Sequence, residues 1–234
     1  MAAGAALAAT PAAAQEEAPP PPVGVSGAVT LVSDYRLRGI SQSGEDPAIQ
    51  ASLNVDHDSG FYAGVFVSTI DGTRSRPGHG DVEFDVYAGY AMTLPSGVGL
   101  DAGLLYYAYP DAANEADTGF FEPYATISYS LGPITAKAGG HYGWRGQPGL
   151  GGEDTLYLRG DLAVSVPRTP VTLTGHVGHS DGRFGDRFDW SIGAEVAQSF
   201  ARIGIRYVDT DIARGTPRHA GADPALLGHL TLSF

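Results

Sequence analysis

The sequence predicts an all-β protein, a closed antiparallel transmembrane β-barrel of about twelve strands with short periplasmic turns and long extracellular loops. Three observations predict this class: apolar and polar residues alternate along most of the chain, the connections alternate in length, and aromatic residues gather near the strand ends. With 33 Gly, 12 Tyr and no Cys among 234 residues, the composition excludes a disulfide scaffold and any zinc site built on cysteine. The expected location is the outer membrane of a Gram-negative bacterium.

The N-terminal segment reads as a region that precedes the folded part. Residues 1–14 are rich in small apolar residues and end in Ala-Ala-Ala, which is typical of the cleavage end of a secretory signal peptide. Because the basic start of such a peptide is missing, we expect this remnant to be truncated. Residues 15–25 contain a run of prolines that favours an extended, solvated spacer in the periplasm. Residues 26–234 are then expected to form the barrel.

Strand periodicity is clearest at residues 81–92, which read DVEFDVYAGYAM. In an extended chain Val82 and Phe84 share one face, while Glu83 and Asp85 share the other. A helix would scatter the same charges around its surface. The alternation recurs, with no 3.6-residue period beside it, and predicts strands at 27–38, 47–57, 61–70, 81–93, 97–108, 119–131, 133–145, 154–166, 170–180, 187–199, 201–209 and 224–234.

The predicted strands are joined by connections of two alternating lengths. Short turns such as 58–60 and 132–133 are expected on the periplasmic side, and long polar connections such as 71–80 and 146–153 on the extracellular side. We expect this alternation at every connection. A soluble, secreted β-sandwich, whose apolar faces would pack on each other, is the alternative interpretation, but it gives no reason for sorting connections by length.

Aromatic residues on the apolar faces fall near both ends of the predicted strands, where the two lipid–water interfaces would lie. The residues near the long connections are Tyr35, Phe84, Tyr106, Phe121, Tyr142, Trp144, Phe188, Trp190 and Tyr207. Those near the short turns are Phe61, Tyr90, Tyr129 and Phe234.

Residues 27–71 carry a resemblance to a known family. The stretch SDYRLRGISQS, the PAIQ that follows and the later SGFYAGVF resemble the TorF-type porins of proteobacteria. The resemblance covers about the first quarter of the chain and implies an outer-membrane β-barrel that forms a pore. By resemblance to outer-membrane barrels in general, the C-terminal Phe234 is expected to be the signal read by the barrel-assembly machinery.

Polar residues on the inward faces are the candidate lining of a channel. The charged members are Asp34, Arg36, Arg38, Glu83, Asp85, Asp101, Glu122, Lys137, Arg145, Arg159, Asp161, Asp189, Glu195, Arg202 and Arg206. The acidic ones cluster on the predicted strands 4 to 6, and the basic ones on strands 1, 7, 8 and 11. Two interpretations stay open. Either an acidic wall faces basic ones across an open lumen, or ion pairs neutralise one another and plug a narrow barrel.

Small inward residues leave a second question open. The glycines expected to face the interior are Gly89, Gly99, Gly103, Gly139, Gly143, Gly178 and Gly193. They either keep a small lumen open or relieve crowding between side chains.

The predicted function is passive diffusion of small polar or charged solutes through a porin-like channel. The alternative is a non-conducting surface barrel whose acidic loops bind a partner. A net charge of -12 argues against nucleic-acid binding through a basic patch. No enzyme is predicted, because the sequence has no Gly-x-Ser-x-Gly elbow and because His176 and His179 fall on opposite faces of a strand. No cofactor or metal is predicted. Besides small solutes, the expected partners are outer-membrane lipid and the barrel-assembly machinery, with the barrel a monomer.

Overall fold

The computed structural model describes residues 22–113, 118–183, 185–212 and 221–234. The predicted signal-peptide remnant and most of the predicted spacer lie outside these ranges. Within them, no helix is both long and apolar enough to cross a membrane. The strands, in chain order, are β1 (Val23–Val32), β2 (Arg36–Leu37), β3 (Ile40–Ser41), β4 (Ala48–His57), β5 (Phe61–Thr69), β6 (Val82–Thr93), β7 (Val98–Ala108), β8 (Phe120–Leu131), β9 (Ile134–Gly143), β10 (Thr155–Ser165), β11 (Val171–Gly182), β12 (Arg187–Gln198), β13 (Ala201–Thr210) and β14 (Ala225–Ser233).

Twelve of these strands close into one antiparallel barrel, in the order β1-β14-β13-β12-β11-β10-β9-β8-β7-β6-β5-β4. The ring closes because β1 pairs on one side with β4 and on the other with β14. Closure leaves no open sheet edge, and so the backbone groups of the wall pair with one another rather than face hydrocarbon. The predicted fold class and strand number are confirmed.

The outer face of the wall is apolar. Val177 and Ile192 are 60% and 62% exposed, although each lies in the middle of a strand, and Ile205 of β13 is 58% exposed. Residues of alternate parity on the same strands face the interior, where the buried side chains include Glu83 and Glu122. An exposed apolar belt around a polar interior is the arrangement that a lipid bilayer stabilises.

One connection differs from the predicted alternation. β11 runs to Gly182 and β12 begins at Arg187, so that only four residues separate them at the extracellular end. Our expectation of a long connection at every such position is therefore wrong here. The reason is that the ladder between β10 and β11 continues to the pair Thr155–Gly182, and Gly182 then turns the chain with a positive φ of 95°.

The first strand also differs from its prediction. β1 spans Val23–Val32 instead of 27–38, so its first three residues come from the predicted spacer. After Val32 the chain leaves the wall and forms the small β2–β3 hairpin. Arg38 and Gly39, with φ of 52° and 81°, form the two-residue turn of this hairpin. Because β2 and β3 are extended too, the alternation of polar and apolar residues continues past the point where the wall strand ends.

The interior is packed at the extracellular end. Ile70, Tyr107, Tyr109, Phe120 and Leu150 form a buried cluster inside the barrel, with Tyr35 and Leu37 of the hairpin region against it. This cluster fills the side of the lumen near β5 to β9. Space remains above this cluster and on the other side of the lumen, along β9 to β13.

Candidate functional site in the barrel lumen

The β2–β3 hairpin lies inside the extracellular end of the barrel. Arg36 Nε donates to Asp34 Oδ2 at 2.7 Å, and both side chains are almost fully buried. The Ser41 N–H donates to the Gly221 carbonyl at 2.9 Å, and Arg76 Nε donates to Gln42 Oε1 at 2.6 Å. These contacts hold the hairpin to the loops around it. Asp34, Arg36 and Arg38, predicted on the first wall strand, therefore belong to an inserted segment, and their placement on strand 1 was wrong.

Arg38 connects the hairpin to the far wall. Its Nη2 donates to both carboxylate oxygens of Glu122 on β8, at 2.7 and 2.6 Å. Its guanidinium also lies 4.5 Å from the ring centroid of Tyr157 on β10. The Glu122 side chain is fully buried, and it accepts a further hydrogen bond from the Tyr107 hydroxyl at 3.2 Å. A charge-assisted pair of this kind is strong because water is excluded from it.

The second buried acid, Glu83 on β6, is also surrounded by hydrogen-bond donors and an arginine. It accepts hydrogen bonds from the hydroxyls of Tyr35 at 2.6 Å and Tyr109 at 3.1 Å, and Arg76 Nη2 lies 3.6 Å away. Tyr35 was predicted in the outer aromatic girdle, and this is wrong, since its hydroxyl points inward to Glu83. The acidic residues at this end thus face tyrosines and arginines of the hairpin and loops. At this end of the barrel the charged groups are paired, as in the second of the two interpretations that the sequence leaves open, but the pairs do not fill the whole lumen.

Three cavities in the described part of the lumen follow one another along the barrel axis and share lining residues, and a fourth, of about 200 Å³, is lined by Asp101, Tyr124 and Arg159 among others. The extracellular cavity, of about 580 Å³, is lined by residues such as Arg76, Arg183 and Arg187. The central cavity, of about 380 Å³, shares Leu37, Arg38 and Tyr107 with the extracellular one. The periplasmic cavity, of about 340 Å³, is lined by Lys137 and Glu195 among others. The central and periplasmic cavities share Arg159, Asp161, His176, Ser191 and Arg206.

A chain of charged and polar groups crosses the central cavity from β10 to β12. Arg159 Nη1 donates to Asp161 Oδ2 at 2.5 Å, and Asp161 Oδ1 lies 2.7 Å from His176 Nδ1. His176 Nε2 lies 3.0 Å from Asp189 Oδ1 and 2.9 Å from the Tyr157 hydroxyl. His179, three residues on, instead contacts Asp186 and packs on the outward Phe188. The prediction that these two histidines face opposite sides is confirmed.

The remaining predicted lining residues lie nearer the periplasmic end or outside the cavities. Glu195 has Arg202 Nε and His229 Nε2 each at 3.7 Å, and Arg202 is more than half exposed. Asp101 on β7 accepts a hydrogen bond from the Tyr62 hydroxyl at 2.6 Å. Arg145 follows β9, and its side chain is exposed and lines none of the three cavities. Asp85 is buried, and its Oδ1 has no hydrogen-bond partner among the described residues.

Several inward glycines make room for tyrosines. A Cβ on Gly103 would overlap the ring of Tyr124, and one on Gly89 the ring of Tyr62. A Cβ on Gly178 would lie 2.7 Å from the Tyr157 ring. A neighbour closer than 3.0 Å is also found at Gly99, Gly139, Gly143 and Gly193. Of the two alternatives that the sequence leaves open, relief of crowding fits these contacts.

Several lining residues were missed by the sequence analysis. Tyr62, Tyr124 and Tyr157 have the parity of the polar face, but the sequence analysis assigned only charged residues and glycines to the lumen. Arg76 and Arg183 come from connections, where no periodicity exists to assign a direction. Their place in the lumen depends on how the loops fold.

Two loop residues near the extracellular mouth have pKa values below their usual ones. Hydrogen bonds from the Thr73 hydroxyl and the Arg74 N–H lower the pKa of Asp71 well below its usual range. Burial and then the positive charge of Arg76 lower the pKa of His79, which packs edge-on against Tyr109. The mouth therefore favours an ionised Asp71 and a neutral His79.

A further groove, of about 590 Å³, lies on the outer face of the barrel wall. Its lining includes Ala102, Ala125 and Ala138 between the larger Met92 and Ile127. Met92 and Ile127 are among the exposed apolar residues of the outer belt. The groove thus faces lipid and is no part of the lumen.

Solved structures with the same fold include both channels and an enzyme. The KdgM porin matches at a TM-score of 0.60 and 8% identity, over 89% of this chain and 99% of that chain. The NanC porin matches at a TM-score of 0.59 and 11% identity, over 90% and 99%. Outer membrane phospholipase A from Escherichia coli matches at 0.52 and 9%, over 88% and 92%. Identities this low show the fold alone.

Together with the closed wall and the apolar outer belt, these matches identify the fold of an outer-membrane β-barrel, which confirms the location that the sequence predicts. No curated protein matches the sequence significantly. The family model described as a bacterial protein of unknown function, Gcw_chp, matches residues 16–226. Since the match spans most of the chain, this protein belongs to the Gcw_chp family.

Proposed function

We propose that the barrel is a narrow channel through which small polar or charged solutes diffuse passively across the outer membrane. The observation that carries this proposal is the series of three cavities, each sharing lining residues with the next. Twelve strands enclose more space than the eight whose side chains just fill a barrel, and less than the sixteen to eighteen of a wide pore. The hairpin narrows that space further.

The narrowest place is expected at Arg38, which borders both the extracellular and the central cavity. A solute that passes must move beside its guanidinium, which is held in place by Glu122 and Tyr157. Selection would thus depend on charge as well as on width.

Names of similar proteins support the same proposal. The KdgM and NanC proteins are called porins, and one KdgM structure is a complex with disordered oligogalacturonate. The resemblance of SDYRLRGISQS to TorF-type porins points in the same direction.

An enzymatic role has less support in the geometry. Ser59 and His57 meet in the turn after β4, where Ser59 Oγ lies 2.7 Å from His57 Nδ1. The same nitrogen accepts the Ser59 backbone N–H at 3.1 Å. This contact stabilises the turn. Within the described chain, no carboxylate is seen on the other ring nitrogen to complete a triad.

The alternative is a non-conducting barrel whose acidic loops bind a partner. It is favoured by the buried cluster and the ion pairs that fill much of the extracellular end. In either case we propose a monomer surrounded by outer-membrane lipid, assembled by machinery that reads Phe234.

Single-channel recording of the refolded full chain in a planar bilayer tests the proposal. We expect small discrete conductance steps. Ser191→Trp places a large ring where the central and periplasmic cavities meet and should reduce the conductance several-fold. Ile192→Trp, the matched control on the lipid side, should leave the conductance unchanged. A silent barrel that is correctly folded by heat-modifiability and circular dichroism would refute the channel and favour the partner-binding alternative.

A further inference from the structure

The extracellular cavity is cationic although the chain as a whole is acidic. Arg38, Arg76, Arg183 and Arg187 line it, and Glu122 is the carboxylate among its described lining residues. The chain carries a net charge of -12. The described lining therefore holds four guanidinium groups and one carboxylate, the opposite of the acidic excess of the whole chain, and a cavity with net positive charge concentrates anions.

Two of the four lining arginines face buried carboxylates, and other nearby acids have partners outside the cavity. Glu122 is bound on both oxygens by Arg38, and Arg76 Nη2 lies 3.6 Å from Glu83. Asp154 accepts the Arg145 N–H at 2.7 Å, and Asp186 contacts His179 at 2.8 Å with a side chain that is 79% exposed. Asp154 and Asp186 thus do not add carboxylates to the described cavity lining, which keeps a net positive charge even when Glu122 and Glu83 are counted against Arg38 and Arg76.

The cavity also has the chemistry of a ligand site. Gln42 and Ser75 supply neutral polar groups beside the arginines, and Phe120 and Leu37 supply apolar surface. A volume of about 580 Å³ is within the range of small-molecule pockets. Guanidinium forks pair with planar or tetrahedral oxyanions through two parallel hydrogen bonds, which suits ligands with several such groups.

We propose that the extracellular cavity is a binding site for a small multivalent oxyanion, such as a polycarboxylate, which is captured there before it passes Arg38. The proposal names the solute class of the channel and rests on the proposed function for its physiological meaning. The binding itself needs no conduction.

Isothermal titration of the refolded full chain in detergent micelles tests the binding, with citrate as probe and spermidine as the cationic control. We expect citrate to bind and spermidine not to bind. Arg183→Gln and Arg187→Gln should each weaken citrate binding by about tenfold, the loss expected for one charge-assisted contact. Arg145→Gln is the matched control: it removes the same charge at the same end of the barrel, outside the cavity lining, and should leave the affinity unchanged.

The other outcomes are decisive as well. Equal binding of pyrophosphate would support the site and assign it to oxyanions in general, whereas preference for citrate would assign it to carboxylates. Absence of binding for both anions by a folded barrel, or equal weakening by all three arginine variants, would overturn the proposal. Binding by a barrel that is silent in bilayers would leave the site standing and refute the channel, while conduction without binding would do the reverse.

Discussion

The ion pair between Arg38 and Glu122 should couple the hairpin to the barrel wall. Glu122 is fully buried and Arg38 is 7% exposed, so removal of either partner leaves a buried charge without its counter-charge. Such a loss costs about 3–5 kcal/mol. In Glu122→Gln the contact of Arg38 with Tyr157 remains and contributes about 0.5–2 kcal/mol, which places the expected cost near the lower limit.

A double-mutant cycle isolates this coupling. Arg38→Met should cost a similar amount, because among the described residues it leaves the Tyr107 hydroxyl and His141 as the neighbouring donors of the Glu122 carboxylate. The double variant removes both charges, and its cost should fall below the sum of the single costs by about 2–3 kcal/mol. Urea unfolding in lipid vesicles, followed by the fluorescence of Trp144 and Trp190 on the outer belt, measures these free energies.

The matched control is the pair of Arg74 with Asp46 in the loops, where both side chains are more than half exposed. Its cycle should give a coupling below about 1 kcal/mol. Additive costs for Arg38 and Glu122, within about 0.5 kcal/mol, would refute the argument that this pair is buried and mutually dependent.

Three further predictions follow from contacts described above. Gly103→Ala should destabilise the barrel by about 1–3 kcal/mol, since its Cβ would overlap the Tyr124 ring; Gly175→Ala, which has open space around it, should be near neutral in the same urea assay. The pKa of His79 lies below 6.5, so its stabilising effect on the loop is present above pH 6.5 and is lost as the pH falls through the lower folded value; an NMR titration of the ring with a midpoint at or above 6.5 would contradict this. Deletion of Phe234 should slow insertion into proteoliposomes that contain the assembly machinery more than it slows spontaneous refolding into detergent, and equal slowing in both would count against a role as a recognition signal.

The wall could be predicted from the sequence because a membrane barrel obeys one rule along every strand. Residues 82–93 alternate between lipid and lumen, and any shift by one residue would turn Glu83 and Asp85 into the bilayer. The rule failed at Arg36–Ser41, where an inserted hairpin keeps the same extended geometry without being part of the wall.

The site could be predicted only in part. Parity placed Glu122 and Asp161 inside, where the structure also has them, but it could not supply their partners. Arg76 reaches Glu83 from a connection, and Arg38 reaches Glu122 across the lumen. Such contacts join residues far apart in sequence, and they depend on the fold of loops that carry no periodic signal.

The two ladders that β1 forms where the barrel closes differ in length. β1 is paired with β4 along its whole length, from Val23 to Val32, but the ladder with β14 extends only from Ala28 to Val32. A last pair of backbone hydrogen bonds joins Gly27 to Phe234, with the Phe234 ring resting over the glycine. Because few hydrogen bonds hold this junction, we expect β1 and β14 to separate before the other strand pairs on heating. We also expect them to pair last during insertion. The contact of Phe234 with Gly27 then stabilises the periplasmic end of this junction between β1 and β14.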